Sequence, residues 1–183
     1  MRVITGTARG RKLKSPKNDD VRPTSDSVKE AIFSAIQFDV EGAVVADFFA
    51  GTGQLGIEAL SRGAKFAHFT DNSPESATII RENLKLCGFS EKAEVSPLTT
   101  GAFLKKTVAT FDIAFLDPPY GMDLINRTLP DLIPKMRESG LIICEHEREY
   151  KPLETHENFK IRKTYKHGKK SVTIYCNGGF NET

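Results

Sequence analysis

Cysteine is scarce and scattered. The chain of 183 residues holds three, Cys87, Cys144 and Cys176, with no C-x-x-C pair. That excludes a disulfide scaffold and fits buried thiols in a reducing compartment, the cytoplasm being the simplest expectation. Long apolar runs are missing as well: none approaches the roughly 20 residues of a membrane-spanning helix. The opening Met1-Arg2-Val3-Ile4-Thr5-Gly6 turns polar too soon to read as a secretory signal. There is no internal repeat and no low-complexity stretch. Acids are absent from a run near each end. Residues 1–17 carry Arg2, Arg9, Arg11, Lys12, Lys14 and Lys17 and no acid; residues 158–181 carry Lys160, Arg162, Lys163, Lys166, Lys169 and Lys170 and no acid. The stretch between them holds 14 bases and 23 acids, and with Glu182 after the second run the whole chain nets only +2. Basic ends around an acidic middle suit a polyanion held beside a separate small-molecule site; the plainer reading is two solvated faces.

What is present is an ordinary globular mix, 39% hydrophobic and 27% charged, at a length that suits one domain. Glycine-punctuated short runs over residues 1–17 predict a hairpin, and a helix capped by Thr24 or Ser25 follows, with Val28, Ala31, Ile32, Ala35 and Ile36 on one face. Residues 1–40 thus read as an N-terminal hairpin and helix, and 41–183 as an α/β core. In that core, strands near 43–49, 65–70, 93–97, 111–116 and 141–144 alternate with helices near 54–62, 74–87, 100–106 and 122–136, the last bent or broken by Pro130 and Pro134. Alternation of this kind implies a parallel sheet. The tail, Phe159 to Tyr165 and Ser171 to Cys176 around His167-Gly168, reads as an antiparallel hairpin.

Two motifs carry chemistry. The first is Asp47-Phe48-Phe49-Ala50-Gly51-Thr52-Gly53-Gln54-Leu55-Gly56, a literal G-x-G-x-x-G after a strand. Its obvious ligand is a dinucleotide. Asp47 opposes that, since a carboxylate repels a pyrophosphate by about 4 kcal/mol per charge pair at ~4 Å and an effective dielectric near 20. S-adenosylmethionine, with a sulfonium and an ammonium and no phosphate, suits the acid. Asp71, 18 residues after Gly53, ends the next strand, where it can accept from ribose hydroxyls or merely cap the following helix. The second motif, Asp117-Pro118-Pro119-Tyr120, follows a buried strand. An exocyclic base amine is a poor nucleophile because its lone pair is delocalised into the ring. Asp117 and the Pro118 carbonyl can accept its two N–H groups, and Tyr120 can stack on the base. Transfer is then in-line displacement at a sulfonium methyl, with no metal and no covalent intermediate.

With these residues placed, the chain resembles the small single-domain bacterial 16S rRNA guanine-N2 methyltransferases over nearly its full length. The resemblance rests on Met1 to Gly6, Gly10 to Leu13, Arg22-Pro23-Thr24-Ser25-Asp26, Glu30, Ala31 and Phe33, Asp47 to Gly53, Leu55 to Ala64, Asn83-Leu84, Asp117 to Tyr120, Glu145-His146-Glu147 and Gly168 to Tyr175. It implies a seven-stranded class I methyltransferase sheet that binds S-adenosylmethionine. It also implies guanine 2-amino methylation in small-subunit rRNA, on an assembled or partly assembled particle, by a monomer. Cofactor contacts carry over to Asp47, Gly51, Gly53 and Asp71, with Arg22 and Thr24, and Phe49 and Ala50 lie in the same loop. Catalytic roles carry over to Asp117, Pro118, Pro119 and Tyr120. RNA contact is expected from Arg2, Arg9, Arg11, Lys12 and Lys14. Two positions depart from the family's pattern: Asp71 stands where Glu is usual, and Thr99 where an Asp that meets the adenine amine is usual.

Other candidates read blandly. His68, His146, His156 and His167 have no metal-ligand spacing, Glu145-His146-Glu147 reads as a surface strand end, and Cys144 as core. The nearest competing enzyme is an adenine-N6 methyltransferase on DNA or RNA, which would use the same tetrad but shows no separate base-reading domain here. An NAD(P) oxidoreductase is opposed by Asp47 and a catalytically silent RNA-binding module by the intact tetrad.

Overall fold

The run Val44–Phe48 (β1) is buried along almost its whole length, as a strand covered on both faces must be. In this computed structural model, which describes residues 1–16 and 24–178, β1 pairs in parallel with Phe66–Thr70 (β2) and with Phe111–Leu116 (β4). Ala93–Ser96 (β3) continues the sheet beyond β2, and Met136–Glu147 (β5) continues it beyond β4. The antiparallel strands Thr155–His156 (β6), Phe159–His167 (β7) and Lys170–Asn177 (β8) complete the order β3-β2-β1-β4-β5-β8-β7-β6. The chain winds outward from β1 to β3, then returns to β4 on the other side of β1. That reversal opens a crevice at the carboxyl ends of β1 and β4, where ligands of doubly wound sheets lie.

Side chains alternate across the sheet. Val45, Ile113, Phe115 and Ile143 pack with residues of Asp26–Ala35 (α1), Gln54–Ser61 (α2) and Pro74–Cys87 (α3). Ala46, Phe48, Leu116 and Cys144 pack with Thr100–Lys106 (α4) and Leu124–Leu132 (α5) on the other face. The helices start on local signals. Ser25 accepts the Val28 N–H at α1, Ser73 precedes Pro74 at α3, and Thr99 accepts the Ala102 N–H at α4.

The expected elements are present, with four differences. The sheet has an eighth strand, the two-residue β6. Strand β5 begins at Met136 rather than 141: Arg137 pairs with Asp112 (2.9 Å), and β5 bulges there, its residues 137–140 standing against Asp112 alone, a polar stretch with no apolar pattern. Helix α5 runs two residues past Pro130, and Pro134 sits in a short 3-10 turn. The N-terminal hairpin is reduced to one antiparallel bridge, Arg2 to Lys12.

That N-terminal segment is docked rather than projecting. Val3, Ala8 and Leu13 are buried in the α1–α3 core. The fully buried Glu58 of α2 accepts the Ile4 N–H (2.8 Å), the Thr5 N–H (3.0 Å) and Arg62 Nε (2.8 Å). Ser61 Oγ donates to the Thr5 carbonyl and accepts the Ala8 N–H. Lys29, also fully buried, donates to the Arg2 carbonyl at 2.6 Å, and burial lowers its pKa despite the nearby Glu58 and Asp26 carboxylates. Each buried charge therefore has a partner, as burial requires.

Candidate functional site

At the carboxyl end of β1 the chain turns through Phe49, a non-glycine residue at φ +60°. Residues this side of the φ map are held there by their surroundings, and the Phe49 ring lines the main cavity. Gly51 and Gly53 follow at φ +55° and +76°, conformations open to glycine. Gly56 meets another constraint: a Cβ there would stand 2.4 Å from the Phe69 ring.

Asp47 is almost wholly buried, and its Oδ2 accepts the Gly56 N–H at 2.9 Å. It therefore ties β1 to the first turn of α2. Burial pushes its carboxyl up to about 8, against the pull of that N–H, with Asp117 and Asp71 adding to the rise. Asp71, at the end of β2, accepts the Gly51 N–H (2.9 Å) through one oxygen and the Ser73 N–H (2.9 Å) through the other. It fixes the glycine loop and the entry to α3 while facing the cavity. Ala50 is held by a bond from its N–H to the Thr70 carbonyl.

The cavity measures about 350 Å³ and is bordered by Phe49, Asp71, Leu98, Thr99, Pro119 and Arg127, among others. That size lies within the range of small-molecule sites. Thr99 borders it, and its Oγ1 accepts the Ala102 N–H (3.2 Å) as the cap of α4. Pro119 borders both this cavity and a small cleft closed by Tyr120, Glu145 and Tyr150. The proline turn is thus the partition between the two.

Asp117 lies one step beyond the Leu116–Cys144 register pair of β4 and β5, so alternation puts Asp117 and Glu145 side by side on the α1 face. Thr24 joins them: its Oγ1 is 3.2 Å from Asp117 Oδ2 and 2.9 Å from Glu145 Oε2. Lys170, from the first position of β8, bonds Glu145 Oε1 and lies 6.0 Å from the Tyr120 ring centroid. The Gln54 amide, oriented to satisfy both groups, accepts the Thr24 N–H (2.9 Å) and donates to the Thr24 carbonyl (3.3 Å). Burial pushes Asp117 up to about 7, helped by the Glu145 charge and opposed by Lys170 and the Thr24 hydroxyl.

The site thus gathers Asp47, Phe49, Gly51, Gly53, Asp71, Thr99 and the proline tetrad at one end of the sheet. Arg22 lies outside the described residues. Thr24 faces the two carboxylates and does not border the cavity. Glu145 and His146 correct the surface reading, being 2% and 4% exposed. His146 is held by the Glu147 carbonyl and Thr173 Oγ1. Cys144 is core, as expected. Among the described residues no cluster of His, Cys, Asp and Glu is arranged to hold a metal.

Residues 1–176 match a family model described as Conserved hypothetical protein 95. Ribosomal RNA small subunit methyltransferase D of Haemophilus influenzae is 37% identical over 182 residues, 97% of this chain and 94% of its own. The chain belongs to the small-subunit rRNA methyltransferase D family. Its Escherichia coli namesake is 33% identical over 151 residues, 81% of this chain and 76% of the relative. The solved E. coli protein yhhF superimposes with TM-score 0.85 and 30% identity, covering 97% of each chain. The fold is the class I methyltransferase fold and the protein is a methyltransferase.

The sequence reading places Glu145, Glu58 and Lys170 within stretches that resemble the family but gives none of them a place in the polar interior, and it does not name Lys29. The one available signal was the position of Glu145, four residues into an apolar strand run at the same height as the tetrad.

Of the expected RNA-contacting bases, two are engaged with acids. Arg2 Nε meets Asp26 at 3.2 Å and Lys14 Nζ meets Glu82 at 3.1 Å. Arg9, Arg11 and Lys12 are exposed.

Proposed function

We propose that this methyltransferase moves a methyl group from S-adenosylmethionine to the 2-amino group of a guanine in small-subunit ribosomal RNA. The observation that carries the reading is the placement of Pro118 and Tyr120 across the Pro119 partition from the Asp71 cavity, with Asp117 behind them, joined through Thr24 to the Glu145 carboxylate of the same cleft. A cofactor in that cavity would present its methyl to an amine held on the tetrad. Asp71 offers lone pairs to ribose hydroxyls beyond those bound to Gly51 and Ser73. Phe49 and Leu98 offer apolar surface to the adenine. The Thr99 hydroxyl, already accepting from Ala102, is left as a donor, so the adenine amine would rely on backbone carbonyls.

In the transfer, Asp117 and the Pro118 carbonyl accept the two amine N–H groups and raise electron density on nitrogen. Tyr120 stacks on the base and sets the nitrogen in line with the methyl. Arg9, Arg11 and Lys12 hold the rRNA backbone, the N-terminal segment and α1 serving one catalytic unit as its RNA-holding part. The reading implies work where small subunits are assembled, in the cytoplasm. The names of the relatives support an rRNA substrate, and the proline tetrad supports an exocyclic base amine as the acceptor.

The test is incubation of the protein with methyl-labelled cofactor and small-subunit particles from a strain lacking the gene, followed by nuclease digestion and mass spectrometry. N2-methylguanosine is expected. N6-methyladenosine would overturn the guanine assignment.

Cofactor affinity should depend on pH. Asp47, at the end of the strand that leads into the glycine loop, holds its proton unusually high, at about 8. A bound sulfonium and ammonium favour it charged. Calorimetry should therefore show S-adenosylmethionine binding tighten as pH rises from about 6 to about 8.5. S-adenosylhomocysteine, without the sulfonium, should tighten less, and NADH should not bind. Equal pH slopes for the two adenosyl ligands would remove Asp47 from the sulfonium's surroundings.

A further inference from the structure

The Thr24 hydroxyl stands between two carboxylate oxygens, 3.2 Å from Asp117 and 2.9 Å from Glu145. A hydroxyl has one proton to donate. With both acids charged, one of those two contacts would set oxygen lone pairs against each other inside a buried site. The geometry is satisfied when one acid carries a proton and donates it to Thr24, which donates its own to the other. Lys170 selects which. Its ammonium bonds Glu145 and not Asp117, so the charge rests on Glu145 and the proton on Asp117. Thr24 is pinned for this task by the Gln54 amide.

We propose that Asp117 and Glu145 act as one proton-sharing pair linked through the Thr24 hydroxyl, so that Asp117 can pass its proton to Glu145 and meet the target amine as a carboxylate. The proposal rests on the assignment of Asp117 to that amine. The steps balance. As the Thr24 proton moves to Glu145, the Asp117 proton moves to Thr24. The amine nitrogen then bonds the methyl carbon, the S–C bond breaks and its electron pair stays on sulfur. The nitrogen, now carrying a positive charge, releases one proton to Asp117. Thr24, Glu145 and Lys170 act through Asp117 and are positioning residues.

The groups facing Asp117 fix the signs. Glu145 from β5 disfavours its charge; Lys170 from β8 and the Thr24 hydroxyl ahead of α1 favour it. Asp47 of β1 and Tyr120 of the same loop are the remaining titratable neighbours. Asp47 is perturbed by neither Thr24 nor Lys170 and contributes alike in all four proteins, and burial moves Tyr120 upward, away from the acid limb.

The experiment measures kcat against pH, with saturating cofactor and saturating small-subunit particle, for wild type, Thr24→Val, Thr24→Ser and Lys170→Met. Thr24→Val should lower kcat roughly tenfold, less than the ~10²–10⁴ expected from losing a base outright, and move the acid limb to higher pH. Thr24→Ser keeps the hydroxyl and should restore both rate and limb. Lys170→Met should move the limb upward as well, with the cofactor KM unchanged. A Thr24→Val protein that is slower at every pH but keeps the wild-type limb has lost packing only, and the pair is then wrong. Failure of Thr24→Ser to restore the limb is equally fatal. If wild type transfers no methyl to the particle at any pH, the assignment of Asp117 fails and the pair fails with it; if wild type transfers and the limbs coincide, only the pair fails.

Discussion

Asp117→Ala should slow methyl transfer to the small-subunit particle by about 10²–10⁴-fold, the range lost with a positioned proton acceptor. Cofactor affinity should fall by no more than a few-fold, because Asp117 does not border the cavity that Asp71 and Phe49 line. The fold should survive. The substitution removes the contact between Asp117 and Thr24 and leaves the bond from Thr24 to Glu145 in place. The melting temperature should therefore change by a few degrees at most, about 2–4 °C for each kcal/mol in a chain of this size. Tyr120→Phe should retain much of the activity, since the ring and its neighbour Lys170 remain, whereas Tyr120→Ala should lose most of it. Single-turnover assays and calorimetry on the three variants separate the roles. Loss of cofactor binding in Asp117→Ala would place the acid on the wrong ligand, and normal turnover by Tyr120→Ala would remove stacking from the mechanism.

The second large effect belongs to the N-terminal segment. Gly6 sits at φ +87°, and a Cβ there would stand 1.8 Å from the Ser61 carbonyl oxygen. Gly6→Val adds a β-branched side chain where both backbone conformation and space forbid it. The segment should leave α2, breaking the Ile4 and Thr5 bonds to Glu58 and exposing Val3, Ala8 and Leu13. Each kcal/mol of stability lost lowers the melting point by about 2–4 °C in a chain of this size. Methylation of the particle should collapse, and the dependence of RNA binding on salt should flatten, since Arg9, Arg11 and Lys12 are no longer held in place. Cofactor binding should weaken only slightly. Asn83 bonds both the Lys14 and Thr52 carbonyls, and the second of these bonds survives undocking. The comparison is Arg9, Arg11 and Lys12 reversed to acids on a docked segment, which should flatten the salt slope with no change in melting temperature. If the triple mutant binds and methylates like wild type at every salt concentration, these bases are solvated surface.

Much of this protein was legible without coordinates because its signals are local. A run such as Val44 to Phe48 is apolar on both faces only when a strand is covered twice. The glycine loop and the proline tetrad state their backbone conformation in consecutive residues. Ser73-Pro74 and Gly88 bracket a helix by rules that act within one turn. These fixed the parallel core, the two acids at its strand ends and the reading of a methyl donor.

The tertiary structure alone decided the polar interior. Thr24 and Glu145 are 121 residues apart in sequence and meet at 2.9 Å; Lys170 reaches the same carboxylate from the opposite strand of an antiparallel pair. No periodicity announces such a meeting, and Glu145 reads as surface until β8 and Thr24 are known to cover it. Glu58 and Lys29 were hidden for a related reason. Their partners are main-chain groups of the N-terminal segment, which carry no side-chain identity for a sequence to display. The sequence by itself determined the parallel strands β1 to β4 and the apolar part of β5, and it pointed to a cationic cofactor and an amine as the ligands to test. Which buried charges face one another was set only by packing, because a burial penalty is cancelled by whichever partner the fold brings within hydrogen-bond reach.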